Sequence, residues 1–504
     1  MPNLPSRGPL AWAAALAAGL CQPLGLAPFN LWPVSLLGLI GFFALLIRPK
    51  AQLAALAFAF AVGMYGLGVS WVYVSINTFG QAPVLLALLL TGLWVTFLAL
   101  VFALPYGLWQ RRLPGPLPLW ALPPLWLLGE WLRSWLFTGF PWLYAGYGHL
   151  TSPLAGWAPV LGIFGLGLII ATTAALALAL WQRQPGRWLA LAGVAGLWGA
   201  GAALQQVAWT TPAGPVRTVA MVQPNIPQQH KWDPDWLMPT YDRLLTQSKA
   251  LWGHNWLVWP EAALPTLMSE AQPFMARQAE VARESDTSLV TGVIVNEPHV
   301  IERDGRRLLG QRYYNSLVVL GMGQGVYHKQ RLVPFGEYVP FDQQLRGVIE
   351  FFDLPMSVLH RGPANQQPLM LGHTPVWPAV CYEIVYPDLI AAGARRAEAI
   401  LTVSNDAWFG RSIAPIQHLQ MAQMRALETR RPVVRATNNG FSAIINARGE
   451  ITAQAPQFEL TSLSGSLLPA RGNTPYMLTG SWPVVCLSLL ALTLLIWRAK
   501  RARP

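Results

Sequence analysis

Eight apolar stretches leave this chain few ways to fold. They fall at 8–26, 32–47, 52–75, 83–109, 117–136, 156–181, 187–207 and 479–497. A run of about 17–25 apolar residues is what an α-helix needs to cross a bilayer. Composition agrees: hydrophobic residues make up 53% and charged residues 12%, against about 25% charged in an ordinary soluble domain. Twenty-four tryptophans suit an interfacial setting, where an apolar ring with a polar N–H is favoured. The first stretch is short and flanked by proline, and the fifth contains Glu130 and Arg133. Only Arg7 precedes the first stretch and further spans follow directly, so it does not read as a cleavable signal peptide.

Charge placement predicts the topology. Residues 1–210 carry eight Lys/Arg and one acid, and residues 471–504 carry five Lys/Arg and none. Of 35 basic and 23 acidic residues in all, 35 − 13 = 22 and 23 − 1 = 22 remain for 211–470, a net charge of zero. The net +12 therefore belongs to the apolar parts, and the polar region has no basic excess with which to follow phosphates. A nucleic-acid-binding role is excluded on that ground. With the N-terminus in the cytoplasm, the pairs Arg48/Lys50, Arg111/Arg112 and Arg183/Arg187 and the tail Arg498–Arg503 all fall on the cytoplasmic side. Seven spans then deliver 211–470 to the extracytoplasmic side, and the eighth returns the chain. The domains expected are 1–210, 211–470 and 471–504. Glu130 and Arg133 share one helical face, and are read either as a functional pair or as a structural ion pair near the outer interface. The aromatic, Gly/Pro-punctuated stretch 137–147 suits a loop at headgroup level.

Within 211–470 the texture changes. Strands are predicted at 216–222, 257–259, 288–294, 316–320, 376–380, 400–403 and 442–445, and amphipathic helices at 233–249, 270–286 and 417–430. Such alternation indicates a layered α/β domain. Three polar residues stand at strand ends, where α/β sites assemble: Glu261 after LVWP, Lys329 after GVYH, and Cys381 after PAV. A free cysteine is most often a small buried hydrophobe. Beside a carboxylate and an ammonium, however, it forms a coherent chemical set. The carboxylate can take the thiol proton, and the cation can favour the thiolate and steady a carbonyl oxygen under attack. Cys21 and Cys486 lie in apolar spans, so neither is a disulfide partner for Cys381, and no zinc-like spacing exists. Neither metal nor cofactor is called for.

The motifs WPE (259–261), HKQRLVPFGEYVP (328–340), CYE (381–383) and SNDAWFG (404–410) resemble the nitrilase superfamily with its Glu-Lys-Cys triad. Together with seven spans before the domain and one after, with NIPQQHKWDP (225–234) and with 417–445, they resemble bacterial apolipoprotein N-acyltransferases across essentially the whole chain. The resemblance implies an αββα sandwich outside a polytopic helical membrane part. It assigns Glu261 as base, Lys329 as oxyanion-stabilising cation and Cys381 as nucleophile. It further implies ping-pong transfer of the sn-1 acyl chain of a phospholipid, typically phosphatidylethanolamine, through a thioester to the α-amino group of the diacylglyceryl-cysteine of an apolipoprotein, carried out by a monomer.

Other residues are weighed individually. Glu337 resembles the second acid near the triad, able to orient Lys329 or receive a proton, or else is a surface loop acid. The N–H groups of Tyr382 and Glu383 are oxyanion-hole candidates, and the Glu383 side chain is a candidate brace for a neighbouring loop. Trp232 is a candidate lipid contact on a mobile arm, or an ordinary core tryptophan. Asn315 and Asn405 are expected to hold strand ends. His328 should face away from Lys329, and His418 has no identifiable partner. The amphipathic, aromatic stretch 339–355 is expected to form a lid or membrane-dipping arm over the site, or else is an ordinary surface helix. Two rival functions are a membrane-tethered amidase or lipid hydrolase using water as acceptor, and a transporter with a binding domain. Few ionisable residues in the spans and no paired broken helices count against the transporter.

Overall fold

The computed structural model describes residues 7–113, 116–183, 186–303, 306–334, 336–338 and 359–501, with side chains 301–308 left aside. The expected lid at 339–355 lies outside the described residues. Each apolar stretch contains helix: α1 (Pro9–Leu24), α2 (Trp32–Leu46), α3 (Leu53–Gly68), α4 (Val84–Arg112), α5 (Leu122–Leu132), α6 (Ala158–Trp181) and α7 (Arg187–Leu204), with a last one at Trp482–Arg501. Among the described residues four are long and apolar enough to cross a membrane: Val84–Arg112, Pro153–Trp181, Arg187–Leu204 and Trp482–Arg501. A fifth is added if α3 and Val72–Phe79, bent by 57°, count as one span. The helices α1 and α2 are apolar but have only 16 and 15 residues.

The fifth stretch is helical over only 11 residues. Pro123 and Pro124 sit in the first turn of α5, where proline is tolerated. Beyond Arg133 the backbone breaks: Phe137, Thr138 and Gly139 have φ of 50°, 77° and 88° in succession. The helix α4 ends on Arg111 and Arg112, cations that suit the negative end of the helix dipole.

The polar region is built on two seven-stranded sheets. The first orders β1 (Arg217–Gln223), β2 (Trp256–Val258), β3 (Ser288–Arg303), β4 (Arg306–Gly321) and β5 (Val326–His328) side by side, with Leu264–Leu267 paired to β3. The second runs from the short strand Gly323–Gln324 through β6 (Leu369–Leu371), β7 (Thr374–Val380), β8 (Ala399–Ser404), β9 (Val433–Thr437), β10 (Ala443–Ile445) and β11 (Ile451–Gln454). A twelfth strand, β12 (Thr461–Leu467), pairs with β1 and completes the outer edge of the first sheet. In each sheet the central strands are parallel: β1–β2–β3 and β7–β8–β9.

Period-two alternation builds the layers. Val219, Met221, Trp256 and Val258 point to a core shared with Val376, Leu401, Val403 and Val434 of the second sheet. Their neighbours Ala220, Val222, Leu257 and Trp259 point the other way, onto Leu244 of α8 (Leu237–Ser248) and Phe274 of α9 (Met268–Glu284). On the far side of the second sheet lie α10 (Pro387–Ala394) and α11 (Ala414–Thr429). The result is helix, sheet, sheet, helix. The helix α11 also packs on α6, and α12 (Trp482–Arg501) packs on α5 and α6, so the sandwich rests directly on the apolar helices.

The expected strands and helices are all present; the structure lengthens the β3/β4 hairpin and adds β6, β9, β11, β12 and α10, which were not expected. The hairpin β3/β4 runs in register from Ser288↔Gly321 to Arg303↔Arg306, far beyond the predicted 288–294 and 316–320. Its outer half lacks the apolar alternation that marks a half-buried strand. The strand β9, fully buried and parallel to β8, was not among those predicted. It lies immediately after a long amphipathic helix, and its five residues include a buried arginine, Arg435.

Candidate active site

The ends of the parallel strands of both sheets converge at one end of the sandwich. The first sheet contributes Glu261 just beyond β2, Asn315 on β4 and Lys329 after β5. The second contributes Cys381 after β7, together with Ser404 and Asn405 at the end of β8. Parallel pairing sets Val380 opposite Val403, so the residues that follow, Cys381 and Ser404, are neighbours. Strand ends of two facing sheets therefore bring together residues far apart in sequence.

Lys329 is 1% exposed and lies between two carboxylates. Its Nζ donates to Glu261 Oε1 at 3.4 Å and to Glu337 Oε1 at 2.8 Å. Burial alone would favour the neutral amine. The charges of Glu337 and Glu261 reverse this, and the ammonium is held well above its ordinary value. Asn315 Nδ2 donates to Glu261 Oε1 at 2.8 Å and to Glu337 Oε1 at 3.0 Å, spacing the two acids. The backbone N–H of Asn405 donates to Glu261 Oε2 at 2.8 Å, and that of Val333 to Glu337 Oε2 at 2.9 Å. Every carboxylate oxygen in this set is thus aimed by a named donor.

Cys381 is partly buried and has φ 52°, a left-handed backbone that costs free energy in a non-glycine residue. It opens a tight 3₁₀ turn, Cys381–Val385. Burial pushes its thiol well up, the Glu261 charge adds to this, and Lys329 opposes it. These surroundings favour the protonated thiol over the thiolate.

Glu383 lies behind the turn, fully buried. It accepts from Tyr327 Oη at 3.0 Å and from the N–H groups of Gln330, Arg331 and Val380 at 2.5, 3.2 and 2.8 Å. It ties the segment after Lys329 to the segment before Cys381. Burial raises its carboxyl to about 7. Tyr382 Oη donates to Gly139 O at 3.1 Å, and Tyr386 Oη to Thr138 O at 2.9 Å. The left-handed loop after α5 is thus clamped to the turn that carries the cysteine.

Arg133 and Glu130 each serve that loop, and no salt bridge joins them. Arg133 Nη1 donates to Phe140 O at 3.1 Å and to Trp142 O, while Glu130 Oε1 accepts from Ala145 N at 2.8 Å.

A cavity of about 790 Å³ unites these parts. Glu261, Lys329, Glu337, Cys381, Tyr382 and Trp232 all line it. Its other wall is apolar: Leu90, Leu93, Trp94, Phe97, Leu98 and Val101 from one face of α4, with Trp71 and Ile76 beside them. Glu383 is not on this wall. His328 turns away, with Nδ1 2.7 Å from Ser316 Oγ. No group of His, Cys, Asp and Glu able to hold a metal ion exists among the described residues.

Comparison with known proteins identifies the two halves. Residues 18–176 match the apolipoprotein N-acyltransferase N-terminal domain, and residues 218–471 match the carbon-nitrogen hydrolase family. An apolipoprotein N-acyltransferase of Pseudomonas putida is 46% identical over 96% of this chain and 96% of its own length, and one of Pseudomonas syringae pv. tomato is 45% identical over 97% of each. The chain belongs to the apolipoprotein N-acyltransferase family. A solved carbon-nitrogen hydrolase of Helicobacter pylori is similar at 15% identity and a TM-score of 0.36, covering 57% of this chain and 95% of that one. The family assignment rests on the full-length relatives.

Sequence reasoning passed over several residues that this member of the apolipoprotein N-acyltransferase family places at the site. Lys231, 3% exposed, lines the cavity and donates to Glu261 O at 3.1 Å. Burial pulls its amine down to about 8, with Glu261 opposing. Ser404, Asp406 and Arg435 form a buried group behind Cys381. The signal for Ser404 and Asp406 was their place in SNDAWFG at a strand end; Arg435 sat in a strand that was not recognised.

Proposed function

We propose that this chain is an N-acyltransferase that moves the sn-1 acyl chain of a phospholipid, typically phosphatidylethanolamine, to the α-amino group of a diacylglyceryl-cysteine on an apolipoprotein. One observation carries the reading: a single cavity joins Glu261, Lys329 and Cys381 to an apolar wall contributed by α4. A soluble amidase has no use for such a wall, whereas an acyl chain does. The names of the full-length relatives support the same substrates.

In the first half-reaction Glu261 takes the Cys381 proton and the sulfur attacks the ester carbonyl. The S–C bond forms, the ester C–O bond breaks, and the leaving alkoxide takes the proton from Glu261. Lys329 and the N–H groups at the start of the 381–385 turn, which have no acceptor within it, steady the oxyanion. In the second half-reaction the amine attacks the thioester, the N–C bond forms and the C–S bond breaks, and Glu261 passes the proton lost by the amine to the departing Cys381 sulfur, which is regenerated as the thiol. Glu337 fixes Lys329, Glu383 fixes the turn, and Trp232 contacts lipid.

Leu93 and Phe137 line the cavity yet are 56% and 66% exposed, which supports lateral entry of the donor from the bilayer. The charge pattern supports eight spans, cytoplasmic termini, division at 210 and 470 with the middle part in the periplasm, and the inner membrane as the location; we assign a monomer. Intact-protein mass spectrometry after incubation with phosphatidylethanolamine tests the scheme. A hydroxylamine-sensitive gain of one acyl chain, absent from Cys381→Ser and discharged by a diacylglyceryl-cysteine peptide, is expected. Release of free fatty acid without transfer to the peptide would instead establish a hydrolase.

A further inference from the structure

Behind the nucleophile lies a buried polar group to which the triad chemistry assigns no role. Ser404, Asp406, His418 and Arg435 are each no more than 1% exposed. Ser404 Oγ lies 3.4 Å from Cys381 Sγ and 2.5 Å from Asp406 Oδ1. Arg435 Nη2 donates to Asp406 Oδ2 at 2.6 Å. His418 Nε2 lies 3.2 Å from the Cys381 carbonyl oxygen, so Nε2 carries the hydrogen and donates. On the other side of the ring, Nδ1 is 3.1 Å from Arg435 Nη2 and 3.1 Å from Asp406 Oδ1. In the neutral ring Nδ1 accepts from Arg435. The imidazole is held from both faces, with ring centroids 5.8 Å from Trp142 and 6.2 Å from Phe409.

This group reaches Cys381 at two points, the sulfur and the carbonyl, and the residue so held is the one with a left-handed backbone. We propose that Ser404 is a further catalytic residue, donating to the Cys381 thiolate as it forms, and that His418 is a positioning residue that holds the Cys381 carbonyl. The Ser404 hydroxyl has one hydrogen and two acceptors. With the sulfur protonated, that hydrogen belongs to Asp406, the stronger acceptor. As Glu261 removes the thiol proton, the sulfur becomes an anion and the hydroxyl hydrogen turns toward it. No O–H bond breaks; the proton of the thiol goes to Glu261. Asp406 keeps its other partner, Arg435, throughout. His418 opposes relaxation of the strained turn, so the N–H groups after Cys381 stay aimed at the oxyanion.

The inference rests on Cys381 being the acyl carrier, and the test separates the two. Wild type, Ser404→Ala, His418→Leu and His418→Gln are incubated with phosphatidylethanolamine vesicles. The rate of acyl-Cys381 formation is followed by intact mass as a function of donor concentration. In parallel the rate of Cys381 alkylation by iodoacetamide is measured without lipid. Ser404→Ala is expected to slow both acylation and alkylation by roughly ten- to a hundredfold, the worth of one hydrogen bond to a charged group, with the donor concentration for half-maximal rate unchanged. His418→Leu should slow acylation with little change in alkylation, and His418→Gln, which keeps an amide donor, should recover part of the loss. Wild-type rates in Ser404→Ala overturn the catalytic role, and Ser404→Ala removes so little volume that folding does not confound it. A loss in His418→Leu that appears only as weaker donor dependence or a lower melting temperature overturns the positioning role. If wild type itself forms no adduct, the proposed function fails rather than this inference.

Discussion

At the scale of single residues, the site is governed by how few cations serve how many carboxylates. Lys329 faces both Glu261 and Glu337, with Asn315 between the acids. Glu337→Gln leaves Lys329 paired only with Glu261 at the longer distance, so the ammonium shifts toward the base and weakens it. Acylation of Cys381 should fall by about ten- to a hundredfold, read by the rate of adduct formation. Asp406→Asn is a test of stability. Arg435 and Asp406 are fully buried, and removing one member of such a pair costs about 3–5 kcal/mol. Burial alone would raise the Asp406 carboxyl, but Arg435 and His418 hold it well below its ordinary value. A depressed carboxyl contributes stability that is full above its unfolded value and fades as pH falls through the folded one. Thermal melts in detergent should therefore show a constant gap between wild type and Asp406→Asn near neutral pH. The gap should narrow only below about pH 4, where an unfolded aspartate takes up its proton.

At the scale of elements, the loop after α5 is the part on which the turn carrying Cys381 leans. Its carbonyls at Thr138 and Gly139 receive the hydroxyls of Tyr386 and Tyr382. Gly139 has φ 88°, and a Cβ there would sit 2.0 Å from Ser134 O. Gly139→Ala therefore cannot keep this loop conformation. The strain alone is worth about 1–3 kcal/mol, and the overlap adds to it, so the loop should shift and Cys381 acylation should drop sharply. Hydrogen exchange at 381–386 is the measurement: faster exchange is expected in the variant, whereas unchanged exchange would mean that the loop does not support the turn. Much at this scale was legible in advance. The strands ending at Glu261, Lys329 and Cys381 carry apolar runs, and the amphipathic helices carry their stripe. What escaped included β9, whose central Arg435 is buried because Asp406 waits for it, the outer part of the β3/β4 hairpin, where no core face imposes a pattern, the short strand β6, the largely exposed edge strands β11 and β12, and the helix α10.

At the scale of the whole molecule, the catalytic cavity is the joint product of two halves that match separate family models. The wall from α4 spans Leu90 to Val101, three turns of helix. Val101→Trp fills the far end of that wall. It should weaken use of long-chain donors by about tenfold or more while leaving iodoacetamide alkylation of Cys381 unchanged. Equal loss of alkylation would place the effect in the fold rather than in the acyl site.

The division between sequence and structure follows from the range of the forces involved. Helix or strand, apolar face or polar face, and the charge on each connecting segment are local, because periodicity and composition act within a few residues. These the chain declared by itself, together with the strand-end positions of Glu261, Lys329 and Cys381 and the motifs that carry the family resemblance. The partners of a buried group are a matter of packing. Glu130 and Arg133, three residues apart, looked like a pair, yet each turned to the backbone of the following loop, because that loop's unpaired donors and acceptors needed them more. His418 offered no partner in sequence, and found Cys381, Asp406 and Arg435 only when α11 and β9 closed on the strand ends. A buried polar atom must be satisfied by whatever tertiary packing brings within 3 Å or so, and only the folded chain decides what that is.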